Sequence, residues 1–364
     1  MGQEKTKVAI LFGGQSTEHQ ISLLSAQNVF KSLDKALFEP ILIGIDKQGQ
    51  WHYHDQSMKL LYADDPEKIL LADIDNPLLL SQNTASKNIY SVKNRDILNT
   101  VDVLFPVLHG TYGEDGSVQG LAKLAGLPCV GCGILGSAVG MDKDLMKHVL
   151  NSMDIPVANW ATLRKGQNMA DYTYLSEQLG TTLFIKPANL GSSVGVSKVE
   201  NASQFQQALE LAFRYDPKVI VEEQINGREI ECAVLGNSDP RASIPGEVVA
   251  EGGFYSYENK YLNEKGAELH IPAQLNPDQV AAAQALALET YIGLEGRGMS
   301  RVDMFLTPGN ELIINEVNTI PGFTNISMYP KLWEISGLSQ QDLITELIQL
   351  AMQEHYNQDN LQFS

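Results

Sequence analysis

Five consecutive apolar residues, Val8-Ala9-Ile10-Leu11-Phe12, run into Gly13-Gly14, and a helical spacing of Ile21, Leu24, Val29, Phe30 and Leu33 follows at once. Residues 40–46 read as the next strand and residues 101–108 as a third. A helix over 118–125 and a short strand at Cys129 come after them. Strands alternating with helices argue for a parallel, doubly wound sheet. Between them, residues 51–100 are polar, irregular and without a motif, and read as an insertion on that unit.

A second segment opens near Met141, with a helix over 143–153, strands over 160–163 and 183–186, a glycine–serine loop, a helix over 203–214 and a strand over 219–221. A third runs from about residue 228, with strands at 230–235, 300–306 and 311–316 and helices at 277–292 and 341–355. At 364 residues the chain has room for two or three domains, at about 100–200 residues each. There is no internal repeat or low-complexity linker, so the segments are expected to close around a shared cleft.

Composition narrows the function classes. Subtracting 44 acidic from 26 basic residues leaves −18, which repels polyphosphate backbones and anionic lipid. Neither nucleic acid nor membrane is an expected partner. No run approaches the roughly 18–20 apolar residues of a membrane helix. The start, MGQEKTK, lacks the apolar core of a secretory signal, so a cytoplasmic enzyme is expected. Cys129 and Cys132 form one C-x-x-C without a second pair or a histidine partner, which favours buried free thiols over zinc. His52 and His54 share one face of a strand, but with no acidic or cysteine cluster nearby a solvated strand is the simpler reading.

Four stretches carry chemistry. Arg301-Val302-Asp303 and Ile314-Asn315-Glu316-Val317-Asn318 flank a turn at Thr307, Gly309 and Asn310. If the two strands pair, Asp303, Glu316 and Asn318 converge as hard oxygen ligands of the kind that hold Mg²⁺ with substrate phosphates. An exposed hairpin with alternating polar residues fits the pattern equally well. What tips the balance is Pro321-Gly322 directly downstream, a turn that offers backbone N–H groups to an oxyanion. The second stretch is Lys186-Pro187 followed by Gly191-Ser192-Ser193-Val194-Gly195, a strand end and glycine-rich turn suited to phosphate although no Walker A spacing occurs. Lys143 starts a helix and by itself reads as a solvated charge.

The third is Gly13-Gly14-Gln15-Ser16-Thr17-Glu18, which lacks the dinucleotide glycine spacing. It instead places Glu18 in the first turn of a helix, where a carboxylate can meet a substrate ammonium, although capping through Ser16 explains part of the pattern. His109-Gly110-Thr111-Tyr112-Gly113-Glu114-Asp115-Gly116 follows the third strand at the same sheet edge, where a tight glycine turn is the plain alternative. The fourth is Gly252-Gly253-Phe254-Tyr255 through Lys260-Tyr261-Leu262, whose glycines and tyrosines suit a flap closing over a site. An aromatic loop at a subunit contact is its rival.

Taken together, GGQSTEHQIS, HGTYGEDGSVQG, the KP…GSSVGVSKV loop and RVDMF…INEVNTIPGFT resemble the D-alanine–D-alanine ligases of the ATP-grasp superfamily. The resemblance covers nearly the whole chain outside residues 51–100, and that insert is similar to the one in the longer bacterial form. It implies an α/β ATP-grasp fold: an N-terminal Rossmann-like parallel-sheet domain over 1–138 and two α+β lobes, 139–226 and 227–364, holding ATP between them. The flap would span 247–266.

The resemblance also implies the chemistry. Lys143 and Lys186 would reach the ATP phosphates, Glu222, Glu223, Gln224 and Ile225 would hold the adenine, and Glu229 would sit near the ribose. Asn315 would belong to the same nucleotide site, and Lys260 would come in with the flap. Asp303, Glu316 and Asn318 would hold two Mg²⁺ or Mn²⁺ ions. Glu18 would hold the first D-alanine's ammonium group, with His109 nearby. Arg301 and the Gly322 N–H would stabilise the oxyanion. Ser327 and the Met328 N–H would receive the second D-alanine. Glu18, Ser192 and Tyr261 would fix the closed flap. Relatives of this kind are homodimers, and their substrates are D-alanine and ATP. One departure is Glu223, where many relatives carry lysine. Another carboxylate–amine ligase of the same superfamily, or a nucleotide-binding sensor, are the rival readings.

Overall fold

The computed structural model describes residues 4–54, 60–61, 69–71, 75–82, 86–167, 170–250 and 267–361. The first sheet has the order Trp51–His54, Phe38–Ile45, Thr6–Gly13, Val103–Pro106. Thr6–Gly13 runs parallel to both neighbours, with Ala9 opposite Ile41 on one side and Leu104 on the other. Its apolar run is unbroken because both faces are covered. Val8, Ile10 and Phe12 enter one core, Ala9 and Leu11 the other. Gly13 ends the strand at φ +92°, and a Cβ there would lie 2.1 Å from the Ile45 carbonyl oxygen, so only glycine fits.

The second sheet is antiparallel in the order Trp160–Arg164, Lys218–Glu223, Leu183–Pro187, Ser197–Val199. The third runs Ala267–His270, Gly246–Ala250, Arg228–Leu235, Met299–Leu306, Leu312–Asn318, with Arg241–Ala242 beside Arg228–Leu235. The helix Pro277–Gly293 covers that sheet; Asn276 and Gln279 form a capping box and Pro277 occupies the first turn. The last helix, Gln340–Asp359, starts on a Ser339 cap. Its Leu343, Ile344, Leu347 and Ile348 pack into the same core as Val8, Ile10 and Phe12. The C-terminus therefore roofs the N-terminal sheet.

Several sequence expectations change. Cys129 forms only a single bridge to Leu104, because the chain turns at once into the helix Ile134–Met141. That helix, Tyr172–Leu179 and Met328–Ile335 are absent from the sequence reading. The described residues of 51–100 include regular strands. Trp51–His54 extends the first sheet, and Leu78–Leu80, Asn88–Ser91 and Ile97–Thr100 form a small sheet whose Leu78 and Ile89 enter the core. His54 is buried at 2% exposure against the Phe12 ring, so that strand is not solvated. The expected flap begins in a strand, since Gly246–Ala250 pairs with Ala267–His270, and residues 251–266 lie outside the described residues. The cysteines are free thiols. Burial pushes Cys129 up to about 12 and Cys132 up to about 11, which leaves both unreactive.

Candidate active site

The hairpin closes as its sequence pattern predicts, with Arg301 opposite Asn318 and Asp303 opposite Glu316. The register then shifts, for Met304 pairs with Ile314, leaving Asn315 as an extra residue in a bulge. A bulge re-aims the side chain it carries. Here the side-chain Oδ1 of Asn315 accepts from Lys186 Nζ at 3.3 Å, across from the neighbouring sheet. Arg301 binds Asp303 through two bonds of 2.7 Å each and reaches Glu231 at 2.9 Å, while Asn318 donates to Asp303 at 3.0 Å. Glu231 is a partner the sequence reading does not contain.

Glu18 is the residue preceding the helix His19–Ser32, not a member of its first turn. The Ser16 hydroxyl accepts from the Glu18 N–H and makes no cap of its own to the helix. Buried at 6% exposure, Glu18 receives a short hydrogen bond from Ser192. Ser192 and Ser193 both adopt positive φ, at +53° and +58°. Such backbone strain in non-glycine residues persists only where surrounding contacts hold it, and it concentrates at functional loops. Gly110 passes so close that a Cβ would lie 3.0 Å from Glu18 Oε2.

His109 uses both ring nitrogens internally: Nδ1 faces the Ile320 carbonyl at 3.1 Å and Nε2 faces Ser25 Oγ at 3.2 Å. Ser25 Oγ also accepts from the Phe323 N–H. Burial pushes His109 down to about 4, so the ring is neutral and supports the 320–323 turn. Glu114, quoted in the motif but given no role, accepts from the Gly110 N–H at 2.7 Å and the Ile320 N–H at 3.2 Å. Burial, and then the Glu18 carboxylate, pushes it up to about 8 against those two bonds. One cavity is lined by Glu18, His109, Glu114, Ser192, Arg301, Glu316, Asn318 and Gly322. Ser327 is not part of the lining but sits against Gly322, where a Cβ would lie 2.8 Å from its Oγ. That Oγ accepts from the Thr324 N–H, and Met328 opens the helix Met328–Ile335. First-turn N–H groups of a helix lack intrahelical partners and point outward.

Lysines line the adjoining wall. Lys143 is buried rather than solvated; its Nζ donates to the Leu190 carbonyl at 2.7 Å and lies 3.6 Å from Glu316. Glu222 is paired twice, with Lys186 at 2.5 Å and with Lys147 at 2.7 Å. Burial alone would raise its carboxyl, but Lys186 and Lys147 hold it down at about 2. Glu223 points elsewhere and accepts from the backbone and side chain of Asn159. Gln224 and Ile225 follow the strand Lys218–Glu223, and Glu229 stands on Arg228–Leu235 within electrostatic reach of Lys186. Lys147 is missing from the sequence reading, yet a signal exists. Lys143, Met146, Lys147 and Leu150 form one stripe of the helix Lys143–Ser152, so both lysines occupy its buried face. Lys260 and Tyr261 lie outside the described residues.

Two antiparallel sheets meeting over lysines and carboxylates, with a parallel sheet closing the substrate side, define the ATP-grasp class. Within it the chain belongs to the D-alanine–D-alanine ligase family. Residues 7–132 match the family model described as D-ala D-ala ligase N-terminus, and residues 149–349 match D-ala D-ala ligase C-terminus. It is 50% identical over 361 residues to the D-alanine–D-alanine ligase of Shouchella clausii, covering 99% of this chain and 98% of that one. It is also 50% identical over 353 residues to D-alanine–D-alanine ligase A of Escherichia coli K12, covering 97% of each. Among solved structures, the D-alanine–D-alanine ligase of Coxiella burnetii superposes with a TM-score of 0.82 at 39% identity, covering 98% and 97% of the two chains. The VanG D-Ala:D-Ser ligase of Enterococcus faecalis gives 0.84 at 39% identity, covering 96% and 100%. No helix among the described residues is long and apolar enough to cross a membrane.

Proposed function

We propose that the protein joins two D-alanine molecules at the expense of ATP, yielding D-alanyl-D-alanine, ADP and phosphate for peptidoglycan precursor synthesis in the cytoplasm. The observation that carries this reading is the single cavity holding Glu18, Ser192, Arg301, Glu316 and Gly322 beside the lysine wall. Asp303, Glu316 and the Asn318 amide fit a Mg²⁺ or Mn²⁺ site, because they present hard oxygen donors on two paired strands, with Glu316 3.6 Å from Lys143. Bound there, divalent ions would neutralise phosphate charge as it moves.

The chain's own residues do the rest. Lys143 and Lys186 bind the phosphates; Glu222 and the 223–225 segment, with Glu229 and Asn315, bound the nucleoside. The Glu223 carboxylate stays on Asn159, so that residue offers backbone rather than side-chain contacts. Glu18 takes the ammonium group of the first D-alanine, whose carboxylate attacks the γ-phosphorus, releases ADP and becomes an acyl phosphate. The second amine attacks the acyl carbon, loses a proton and expels phosphate. Arg301 and the Gly322 N–H stabilise the oxyanion between these events. Ser327 and the Met328 N–H hold the second carboxylate, while His109 and Glu114 fix the 320–322 turn. Shielding of the acyl phosphate from water falls to Lys260 and Tyr261, which lie outside the described residues. The active form is a homodimer.

Phosphate release from Mg²⁺-ATP across a panel of D- and L-amino acids tests the reading. D-Alanine alone is expected to support turnover with D-alanyl-D-alanine as product, in mixtures that also offer D-serine and D-lactate. Turnover with another amino acid but not D-alanine would select a different ligase, and no amino-acid-dependent turnover would overturn catalysis altogether.

A further inference from the structure

The buried chain of charges Lys147–Glu222–Lys186 has a feature that the pairing alone does not explain. Lys147 comes from the helix Lys143–Ser152, Glu222 from Lys218–Glu223 and Lys186 from Leu183–Pro187. Glu222 and Lys186 sit diagonally on one sheet face, since Phe184 is opposite Glu222. The Lys147 side chain is 1% exposed and that of Lys186 16%. Beyond Glu222, Lys147 donates to the Ala158 carbonyl at 3.2 Å and lies 5.6 Å from the centre of the Trp160 ring. It is sealed from the cleft and touches nothing that a nucleotide would occupy. Taking an ammonium group out of water is costly even when it is paired, so its presence there calls for a reason beyond filling space.

Charge arithmetic gives Lys147 a reason to be there. Glu222 with Lys186 alone sums to zero, and a phosphate chain arriving at the cleft would meet a lysine already neutralised. With Lys147 on the other oxygen, the triad carries a net positive charge, and the only partly open member is Lys186. We infer that Lys147 is a positioning residue that satisfies Glu222 from behind and so frees the Lys186 charge for nucleotide phosphates. The inference rests on the ATP reading above.

The test measures binding of ATP and ADP by the full-length protein, with adenosine followed by competition, and reads the ratio of ATP to adenosine affinity. Lys147→Met keeps the length of the side chain and removes its charge. That ratio is expected to fall about 30-fold, as for loss of one nearby charge in a partly buried site. Lys147→Arg is expected to keep the ratio, and adding Glu222→Gln to Lys147→Met is expected to restore it, because the net charge returns. Taking the ratio removes any effect of Glu222 on the nucleoside itself. If Lys147→Met weakens ATP and adenosine equally, or if the double variant stays as low as the single, Lys147 is a packing residue and the inference fails. Should the wild-type protein bind no ATP, the nucleotide reading itself fails, which is a separate result.

Discussion

On the lysine wall a buried carboxylate, Glu222, is met by two ammonium groups, whereas on the substrate wall Glu114 and Glu18 lie beside each other. Glu114 is satisfied there by backbone N–H groups and Glu18 by a serine hydroxyl. Desolvation acts on both walls with the same sign, and the neighbours decide the outcome. Glu222 is held ionised at about 2, and Glu114 is held protonated up to about 8. The difference matches what each wall is proposed to receive. Surplus positive charge suits phosphates, and with Glu114 protonated the Glu18 carboxylate is left to meet an ammonium group.

Glu316 stands between the walls, lining the cavity and lying 3.6 Å from Lys143, so a change there should have the largest effect. Glu316→Gln should leave the fold intact and lower turnover by about two orders of magnitude or more, because metal-bound charge stabilisation is worth several kcal/mol. Steady-state kinetics at ordinary Mg²⁺ decide this, and wild-type rates would remove the hairpin from the metal site. Tyr261→Phe sharpens the substrate wall. On the proposed reading its hydroxyl joins the Ser192–Glu18 pair, and an unpaired buried polar group costs about 1–3 kcal/mol. The variant is expected to gain D-alanyl-D-lactate synthesis, most visibly at lower pH where the competing amine is protonated. Product analysis with both acceptors present reads it, and strict dipeptide formation from pH 6 to 9 would move acceptor choice elsewhere.

The smallest effect concerns stability. Glu222 titrates in the folded protein at about 2, below its ordinary value of 4.5, so its contribution is present above about pH 4.5 and is lost as pH falls towards 2. Glu114 has the opposite sign. Its folded pKa lies above 4.5, so stability falls as pH rises from 4.5 to about 8 and then levels. Urea unfolding of the metal-free protein across pH 4.5–8.5 should show Glu114→Gln with a flatter decline than wild type. The variant should also carry a constant cost of about 1–3 kcal/mol, because its amide NH₂ meets a backbone N–H where a carboxyl oxygen accepted. Identical slopes would mean that Glu114 is ionised throughout.

Local patterning carried much of the fold. The strands at residues 8–12 and 219–221 and the hairpin around Asn310 declare themselves by apolar runs, alternation and turn chemistry. The helix Met328–Ile335 does not, because Pro330 reads as a breaker until it is seen to occupy the first turn, where no N–H is needed. Ile134–Met141 hides among glycines for a similar reason. In the site, motif residues such as Glu18 and Ser192 are legible and helical spacing marks Lys147 as buried, but what Glu114, Lys147 and Glu231 bind is not. Their partners are Ile320, Glu222 and Arg301, and those distances along the chain close only in three dimensions. The Asn315 bulge is invisible for the same reason, since it depends on the register of two strands.

The packing of Leu343, Ile344, Leu347 and Ile348 against Val8, Ile10 and Phe12 also bears on how the protein is made. On a ribosome the N-terminal strands emerge first, and His19–Ser32 covers part of that apolar face through Leu23, Ala26 and Val29, while the remainder of its cover, from Gln340–Asp359, is made much later. Domains usually fold as units in the order of synthesis. Here the N-terminal core is left incomplete until Gln340–Asp359 has been made, which ties completion of the substrate side to a segment far along the chain.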